Sequence, residues 1–142
     1  SAGLNAKRKD FYCEQLKILG MGLENRMNTK AGTLSGGQRQ AMALIMATMS
    51  APELLLLDEH TAALDPKSGD TVMELTERIV KEKEITTLMV THNLRYAAEY
   101  GTRSIMMHEG NVVLDISDEE KIHYSIENYL KMFNEISIEC GN

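Results

Sequence analysis

Residues Leu34–Gln38, with the sequence LSGGQ, have the types and spacing to bind a phosphate group. Two glycines follow a serine that can cap a helix. Glycine lets a ligand approach the backbone closely, and a helix N-terminus offers free N–H groups and the positive end of its dipole. By themselves, Ser35 and Gln38 favour the alternative, an ordinary capped helix that follows a glycine turn.

Two carboxylates follow the apolar run Leu54–Leu57. The run is too short for a helix, and an uninterrupted apolar run of this length is typical of a strand buried on both faces. Ligands of open α/β sheets bind at the carboxyl ends of such strands. Asp58 is therefore a candidate Mg²⁺ ligand and Glu59 a candidate base for a water molecule. The alternative is a strand end that needs polar residues to leave the core.

A histidine follows a second apolar segment, Thr86–Thr91. At a strand end, His92 could donate a hydrogen bond to a phosphate oxygen, or it could cap the next helix. The other histidines show no metal-ligand spacing with His92 or with one another, so we predict that they are not ligands. They are His60, His108 and His123.

Strands alternate with helices around these segments, which indicates an α/β fold with a mainly parallel sheet flanked by helices. Hydrophobic periodicity and helix caps predict helices over 5–19, 35–50, 66–84, 94–100 and 118–136. Ser117 and Glu120 repeat the capping-box pattern at the start of the last helix. The predicted strands are 54–57 and 86–91, followed by a hairpin of 104–107 with 111–116.

Composition narrows the function classes. The chain has 142 residues, 43% of them hydrophobic, and a formal net charge of −6. The acidic balance argues against nucleic-acid binding and against a polybasic membrane anchor. No apolar run approaches the roughly 20 residues of a membrane-spanning helix. Cys13 and Cys140 lie at opposite ends, so we expect reduced thiols in a cytosolic protein.

Together and in this order, the segments resemble the nucleotide-binding domain of ABC transporters, over roughly residues 5–116. Leu34–Gln38 matches the signature sequence of that family, and Leu54–Glu59 resembles its Walker B motif. Ala62–Asp65 resembles its D-loop, and His92 falls at the position of its switch histidine. The resemblance implies a P-loop NTPase-like fold with a C-terminal hairpin and helix.

In that family, two domains bind head to tail and enclose two ATP molecules between them. The resemblance implies that Ser35, Gly36 and Gly37 contact the γ-phosphate of an ATP held by the partner domain. Gln38 would lie beside them. ATP closes such a dimer and hydrolysis reopens it, which gives a transporter two states to couple to.

The resemblance also assigns the polar residues at the strand ends. Asp58 would hold Mg²⁺, usually through water, and Glu59 would be the general base for the attacking water. His92 would contact the γ-phosphate in its own site, and Asp65 would couple the two sites across the dimer. Such a site catalyses phosphoryl transfer by positioning and electrostatics.

Two positions depart from the family pattern. His60 stands where proline is common, and Ala62 stands where the D-loop commonly begins with serine. Neither change removes a catalytic group. The run Leu57–Pro66 looks like that of stand-alone ATPase subunits of bacterial importers.

The P-loop pattern GxxxxGK[ST] does not occur in the sequence, and only 33 residues precede Leu34. Residues 1–142 therefore resemble the C-terminal portion of one nucleotide-binding domain. We expect a helical signature region over 1–50, a Walker B and switch sheet core over 51–116 and a C-terminal helix over 117–142. This portion alone is predicted not to hydrolyse ATP, because the P-loop supplies most phosphate contacts.

The resemblance implies a transporter ATPase subunit at the cytoplasmic face of the cell membrane. Its partners would be a second nucleotide-binding domain, transmembrane permease subunits and, for an importer, a solute-binding protein. One alternative is a non-transport ABC ATPase, against which the acidic balance argues. The other is a binding or regulatory module without a P-loop, against which the retention of Asp58, Glu59 and His92 argues.

In the ABC fold, the P-loop strand lies between the strand that ends at His92 and the strand near Ser104–Met107. Without that strand, two apolar edges lack backbone partners, and each unpaired buried group costs about 1–3 kcal/mol. We therefore predict that the chain self-associates by strand exchange. The alternatives are a shift of its own strands and a separate chain that supplies the missing half.

Overall fold

The computed structural model describes residues 6–17 and 20–139. The chain divides into two compact units, with the boundary between Met89 and Val90. Within the described ranges, no helix is long and apolar enough to cross a membrane. Cys13 is a free thiol whose Sγ lies 2.9 Å from Met27 Sδ, and Cys140 lies outside the described ranges.

The first unit contains a strand–helix–strand segment preceded by helices. Its elements are α1 (Ala6–Lys17), two short 3₁₀ helices (Leu23–Arg26 and Ala31–Thr33), α2 (Gly36–Thr48), β1 (Leu54–Asp58), α3 (Pro66–Lys83) and β2 (Thr86–Val90). β1 and β2 pair in a two-stranded sheet. The predicted helices and strands of this unit are confirmed to within about two residues over the described ranges.

Both ends of helix α3 are defined by interactions of residues close to them in the chain. The Asp65 carboxylate accepts a hydrogen bond from the Ser68 backbone N–H at 3.1 Å, and Pro66 occupies the first turn. Proline suits that position because its fixed φ is helical. An N–H at that position would have no partner within the helix, so its absence costs nothing. At the other end Glu84 adopts a left-handed conformation, φ 51°, and its N–H donates to the Lys81 carbonyl.

The core of the first unit is a cluster of leucine, isoleucine and alanine side chains from the helices, from β1 and from the segments beside them. Its buried members are Leu16, Leu23, Leu34, Ala41, Leu44, Ile45, Leu55, Leu57, Leu75, Ile79 and Ile85. Five methionines pack against it: Met21, Met27, Met42, Met49 and Met89. Methionine is unbranched and flexible, so it fills the irregular spaces around such a cluster.

The sheet of the first unit is covered on only one face. Leu55 and Leu57 are buried in the cluster, whereas Leu54 and Leu56, which point the other way, are 55% and 65% exposed. On β2, Leu88 and Val90 are likewise exposed. The prediction that 54–57 is a strand buried on both faces was therefore wrong, and the second strand is also exposed on one face.

The second unit is built around an antiparallel hairpin. Its elements are α4 (Leu94–Glu99), β3 (Arg103–His108), β4 (Asn111–Ser117), α5 (Asp118–Ile122) and α6 (Ile126–Glu139). β3 pairs with β4, and Glu109 and Gly110 both have positive φ in the two-residue turn. Positive φ at both positions is what the turns favoured in hairpins require. The predicted hairpin is thus confirmed.

The single helix predicted over 118–136 was wrong, because the chain forms α5 and α6 instead. Ser117 makes no side-chain cap, since Asp118 is left-handed (φ 48°) and its N–H donates to the Thr102 carbonyl at 2.8 Å. A new helix then begins after Ser125. The Ser125 hydroxyl accepts from the Asn128 N–H at 3.2 Å, and the Asn128 side chain accepts from the Ser125 N–H at 2.9 Å.

Candidate functional site

The turn that opens α2 is a complete capping box. The Ser35 hydroxyl accepts a hydrogen bond from the Gln38 N–H at 3.2 Å, and the Gln38 side-chain oxygen accepts from the Ser35 N–H at 3.0 Å. The Gln38 amide nitrogen also lies 3.5 Å from the Met21 carbonyl. Gln38 therefore holds the turn together. Because the Ser35 hydroxyl accepts the hydrogen bond from the Gln38 N–H, its own proton remains available for donation to another group.

Packing inside the chain leaves little room for a side chain at Gly36 or Gly37. A Cβ at Gly36 would lie 3.1 Å from Leu64 Cδ2, and a Cβ at Gly37 would lie 3.3 Å from Ser68 Cβ. Both distances are tighter than ordinary van der Waals contacts, so a Cβ at either position would require its neighbour to shift by a few tenths of an ångström. The structure thus brings the turn at Ser35–Gln38 against the segment that leads into α3.

Asp58 and Glu59 lie where β1 ends. Asp58 is exposed, and Glu59 is partly buried with φ 51°. The Glu59 carbonyl accepts from the Ala62 N–H at 3.0 Å, which closes a tight turn directly after the strand. A left-handed conformation costs a non-glycine residue roughly 1–2 kcal/mol. The turn therefore holds the Glu59 backbone in a conformation that the residue does not favour by itself.

His60 contributes a contact that sequence reasoning missed. Its Nε2 lies 3.1 Å from the hydroxyl of Thr76, a buried residue in the middle of α3. Burial lowers the pKa of His60, which favours the neutral imidazole. The only signal in the sequence was the histidine at a position where the family commonly has proline, and that signal does not indicate a partner.

Asp65 is engaged with its own helix. Hydrogen bonds from the Ser68 hydroxyl and from the Ser68 N–H lower the pKa of Asp65. The carboxylate is thus kept ionised at the N-terminus of α3, where it also complements the helix dipole.

His92 belongs to the second unit, whereas the other predicted site residues belong to the first. It is exposed and follows β2. Its neighbour Asn93 is the residue that caps α4, because the Asn93 side chain accepts from the Tyr96 N–H at 3.2 Å. The Asn93 N–H donates to the Thr91 hydroxyl at 3.1 Å. The capping role considered for His92 is thus performed by Asn93.

Comparisons with known proteins agree with this arrangement. A family model described as "ABC transporter" matches residues 6–62. A tyrosine transport ATP-binding protein of Clostridioides difficile (strain R20291) is 53% identical over 118 residues, which are 83% of this chain and 47% of that protein. A lipoprotein-releasing system ATP-binding protein of Geobacter metallireducens (strain ATCC 53774 / DSM 7210 / GS-15) is 40% identical over 110 residues, 77% and 48% of the two chains.

Solved structures give the same result. A dimeric ATP-binding cassette in a post-hydrolysis state, bound to ADP and Pi, matches with a TM-score of 0.65 at 32% identity, over 82% of this chain and 50% of that one. A nucleotide-free cassette from an ABC transporter matches with a TM-score of 0.70 at 26% identity, over 94% and 49%. This chain belongs to the ABC transporter ATP-binding family. It spans about half the length of the curated relatives that it matches.

The chemistry of the side chains at the end of β1 fits Mg²⁺ in one specific way. Within the described ranges, no group of three or more histidine, cysteine or acidic side chains could hold a metal by itself. Mg²⁺, however, commonly keeps several waters and binds through one or two carboxylates plus the substrate phosphates. The exposed carboxylate of Asp58 at the end of β1 fits that mode.

Proposed function

We propose that this chain is part of the ATP-hydrolysing subunit of an ABC transporter, of the bacterial importer type. The observation that carries the proposal is the signature turn at Ser35–Gln38, packed against the residues that follow the Walker B carboxylates. The importer assignment rests on the Leu57–Pro66 run. The relative named for tyrosine transport supports the assignment to a transporter.

In this proposal, the signature turn binds the γ-phosphate of an ATP that the partner domain holds. The N-terminus of α2 supplies free N–H groups and a positive dipole end. The Ser35 hydroxyl retains a proton to donate, and Gly36 and Gly37 keep the turn in place. Gln38 positions Ser35 through the capping box.

The residues at the strand ends act on the ATP of the same domain. Asp58 would hold Mg²⁺, which neutralises charge on the phosphates when it is bound. Glu59 accepts the proton of the attacking water, and His92 donates a hydrogen bond to the γ-phosphate. Asp65, on the segment that contacts the signature turn, couples the two sites of the dimer.

The partners in this proposal are a second nucleotide-binding domain, transmembrane permease subunits and a solute-binding protein. The subunit would lie at the cytoplasmic face of the cell membrane, attached to the permease. The chain described here lacks a P-loop sequence, so ATP would require residues outside it. We therefore expect no saturable heat when Mg-ATP at millimolar concentration is titrated into this chain. A micromolar dissociation constant would contradict that expectation.

The decisive test is Glu59→Gln in the full-length subunit. The amide keeps the shape of the side chain and removes the base, so turnover should fall by about 100-fold or more while ATP binding persists. The ATP-bound dimer should then accumulate and elute earlier in size-exclusion chromatography. Glu53→Gln, an exposed residue before β1, is the matched control and should turn over normally. Wild-type turnover in Glu59→Gln would refute the assignment.

A further inference from the structure

His60 connects the loop after β1 to the middle of α3, a connection that the roles assigned above do not use. We propose that His60 is a positioning residue for Glu59 and acts through its hydrogen bond to Thr76. This inference rests on the proposed role of Glu59 as the base.

The direction of the hydrogen bond follows from the single proton of the threonine hydroxyl. Thr76 Oγ1 lies 2.7 Å from the Val72 carbonyl, which can only accept, so the hydroxyl proton points there. The Thr76 oxygen must then accept from His60 Nε2, 3.1 Å away. The imidazole is therefore in the Nε2–H tautomer, with Nδ1 unprotonated. Thr76 is only 5% exposed, so water competes little for this bond.

Glu59 needs such an anchor because its backbone is left-handed. Non-glycine residues keep that conformation only where the surrounding structure holds them in it. The Ala62 N–H holds the Glu59 carbonyl from one side. The next residue in the chain, His60, is fixed to α3 by its bond to Thr76. Together these two bonds restrain the turn from which the Glu59 side chain extends.

The bond between His60 and Thr76 restricts the loop in a different way from proline. Proline, common at this position in the family, restricts φ through its ring and has no N–H to donate. His60 leaves the backbone free and restricts the loop through its side chain. The restriction therefore depends on one donor at the Nε2 position and one hydroxyl at residue 76, and each can be removed separately.

Matched variants of the full-length subunit test the inference. His60→Gln places an amide N–H near the position of Nε2, whereas His60→Asn is one methylene shorter and cannot reach Thr76. Thr76→Val removes the hydroxyl at nearly constant shape, and Thr76→Ser keeps it. We expect His60→Asn and Thr76→Val each to lower kcat about tenfold, with the KM for ATP within about twofold, since small misplacements of catalytic groups act on kcat. His60→Gln and Thr76→Ser should remain within about threefold of wild type.

The kcat of the double variant His60→Asn/Thr76→Val shows whether the two single variants remove the same hydrogen bond or act independently. It should be no slower than either single variant, because both remove the same hydrogen bond. Unchanged kcat in both single variants would overturn the inference, and so would a double variant about 100-fold slower than wild type. An equal loss in His60→Gln and His60→Asn would overturn it as well.

Long-range ¹⁵N–¹H correlation spectra of the imidazole give a readout that does not depend on turnover. They should show His60 as the Nε2–H tautomer in wild type and a mixture of tautomers in Thr76→Val. An Nδ1–H tautomer in wild type would overturn the inference. If Glu59→Gln turns over normally, the proposed function of Glu59 fails. If Glu59→Gln is inactive while His60→Asn is fully active, only the positioning role fails.

Discussion

The core of the first unit is a continuous apolar cluster, whereas the second unit buries a charged side chain, Lys121, and bonds it to the backbone. In the second unit, Lys121 is 5% exposed and donates to the carbonyls of Ala98 at 3.0 Å and Tyr100 at 2.9 Å. The Ser104 hydroxyl donates to the Ala97 carbonyl at 3.0 Å. Apolar burial depends on filled volume, but buried polar groups depend on individual partners. The two units should therefore fail under different substitutions.

The largest expected effect concerns the sheet of the first unit. Among the described strands, β1 and β2 pair only with each other. We expect the isolated chain to form a dimer or larger oligomer by intermolecular strand pairing, because exposed strand edges pair readily. Sedimentation equilibrium at micromolar concentration measures this. A stable monomer with an unbroken sheet would show that the prediction is wrong.

Two adjacent leucines of β1 should differ sharply in their contribution to stability. Leu57→Ala removes a side chain from the buried cluster, so the free energy of unfolding should fall by about 2–5 kcal/mol. Leu56→Ala, on the exposed face, should change it by less than about 1 kcal/mol. Urea denaturation of both variants gives the values. Equal losses would mean that the second face of β1 is also covered.

Lys121 tests the corresponding property of the second unit. Lys121→Met keeps much of the buried volume but leaves two carbonyls at the end of α4 without a donor. We expect a loss of about 1–3 kcal/mol in the free energy of unfolding. Lys131→Met, on an exposed ion pair with Glu135, is the control and should have little effect. If both variants match wild type, the buried lysine is not what holds α4.

Two serines with the same sequence pattern allow a finer comparison. Ser35→Ala should lower the free energy of unfolding by about 1 kcal/mol, because it removes a formed cap. Ser117→Ala should change it by less than about 0.5 kcal/mol, since Ser117 makes no side-chain cap. Thermal denaturation followed by circular dichroism is sufficient. A larger loss in Ser117→Ala would contradict the geometry of α5.

The smallest expected effect is a dependence of stability on pH. Burial lowers the pKa of Lys121 below its usual 10.5. Between the lowered pKa and 10.5 the unfolded chain binds more protons than the folded one, so unfolding becomes harder as pH rises. The difference in stability between wild type and Lys121→Met should therefore grow across that window. Parallel pH profiles of the two proteins would contradict the shift.

Local sequence predicted the elements well where a cap or a turn decided them. Asp65–Pro66, the Ser35–Gln38 box and the Glu109–Gly110 turn all formed as expected, because each depends on residues close together in the chain. The same logic failed at Ser117, because Asp118 is left-handed and its N–H donates to the carbonyl of Thr102, directly before β3. A contact from outside the motif decided that helix start.

The candidate site divides in the same way. The types and order of Asp58, Glu59 and His92 could be read from the sequence, since the family pattern fixes their spacing. The bond between His60 and Thr76 could not, because it joins residues 16 positions apart on different elements. Nor could the exposure of Leu54 and Leu56, because burial of an apolar strand depends on what lies over it.

The left-handed backbone of Glu59 has a consequence for how this sequence changes over generations. Glycine would relieve about 1 kcal/mol of conformational cost at this position, but it would also remove the carboxylate. Backbone conformation alone would therefore favour glycine over glutamate at this position. Its persistence in a lineage would indicate that turnover, rather than folding, is what selection maintains.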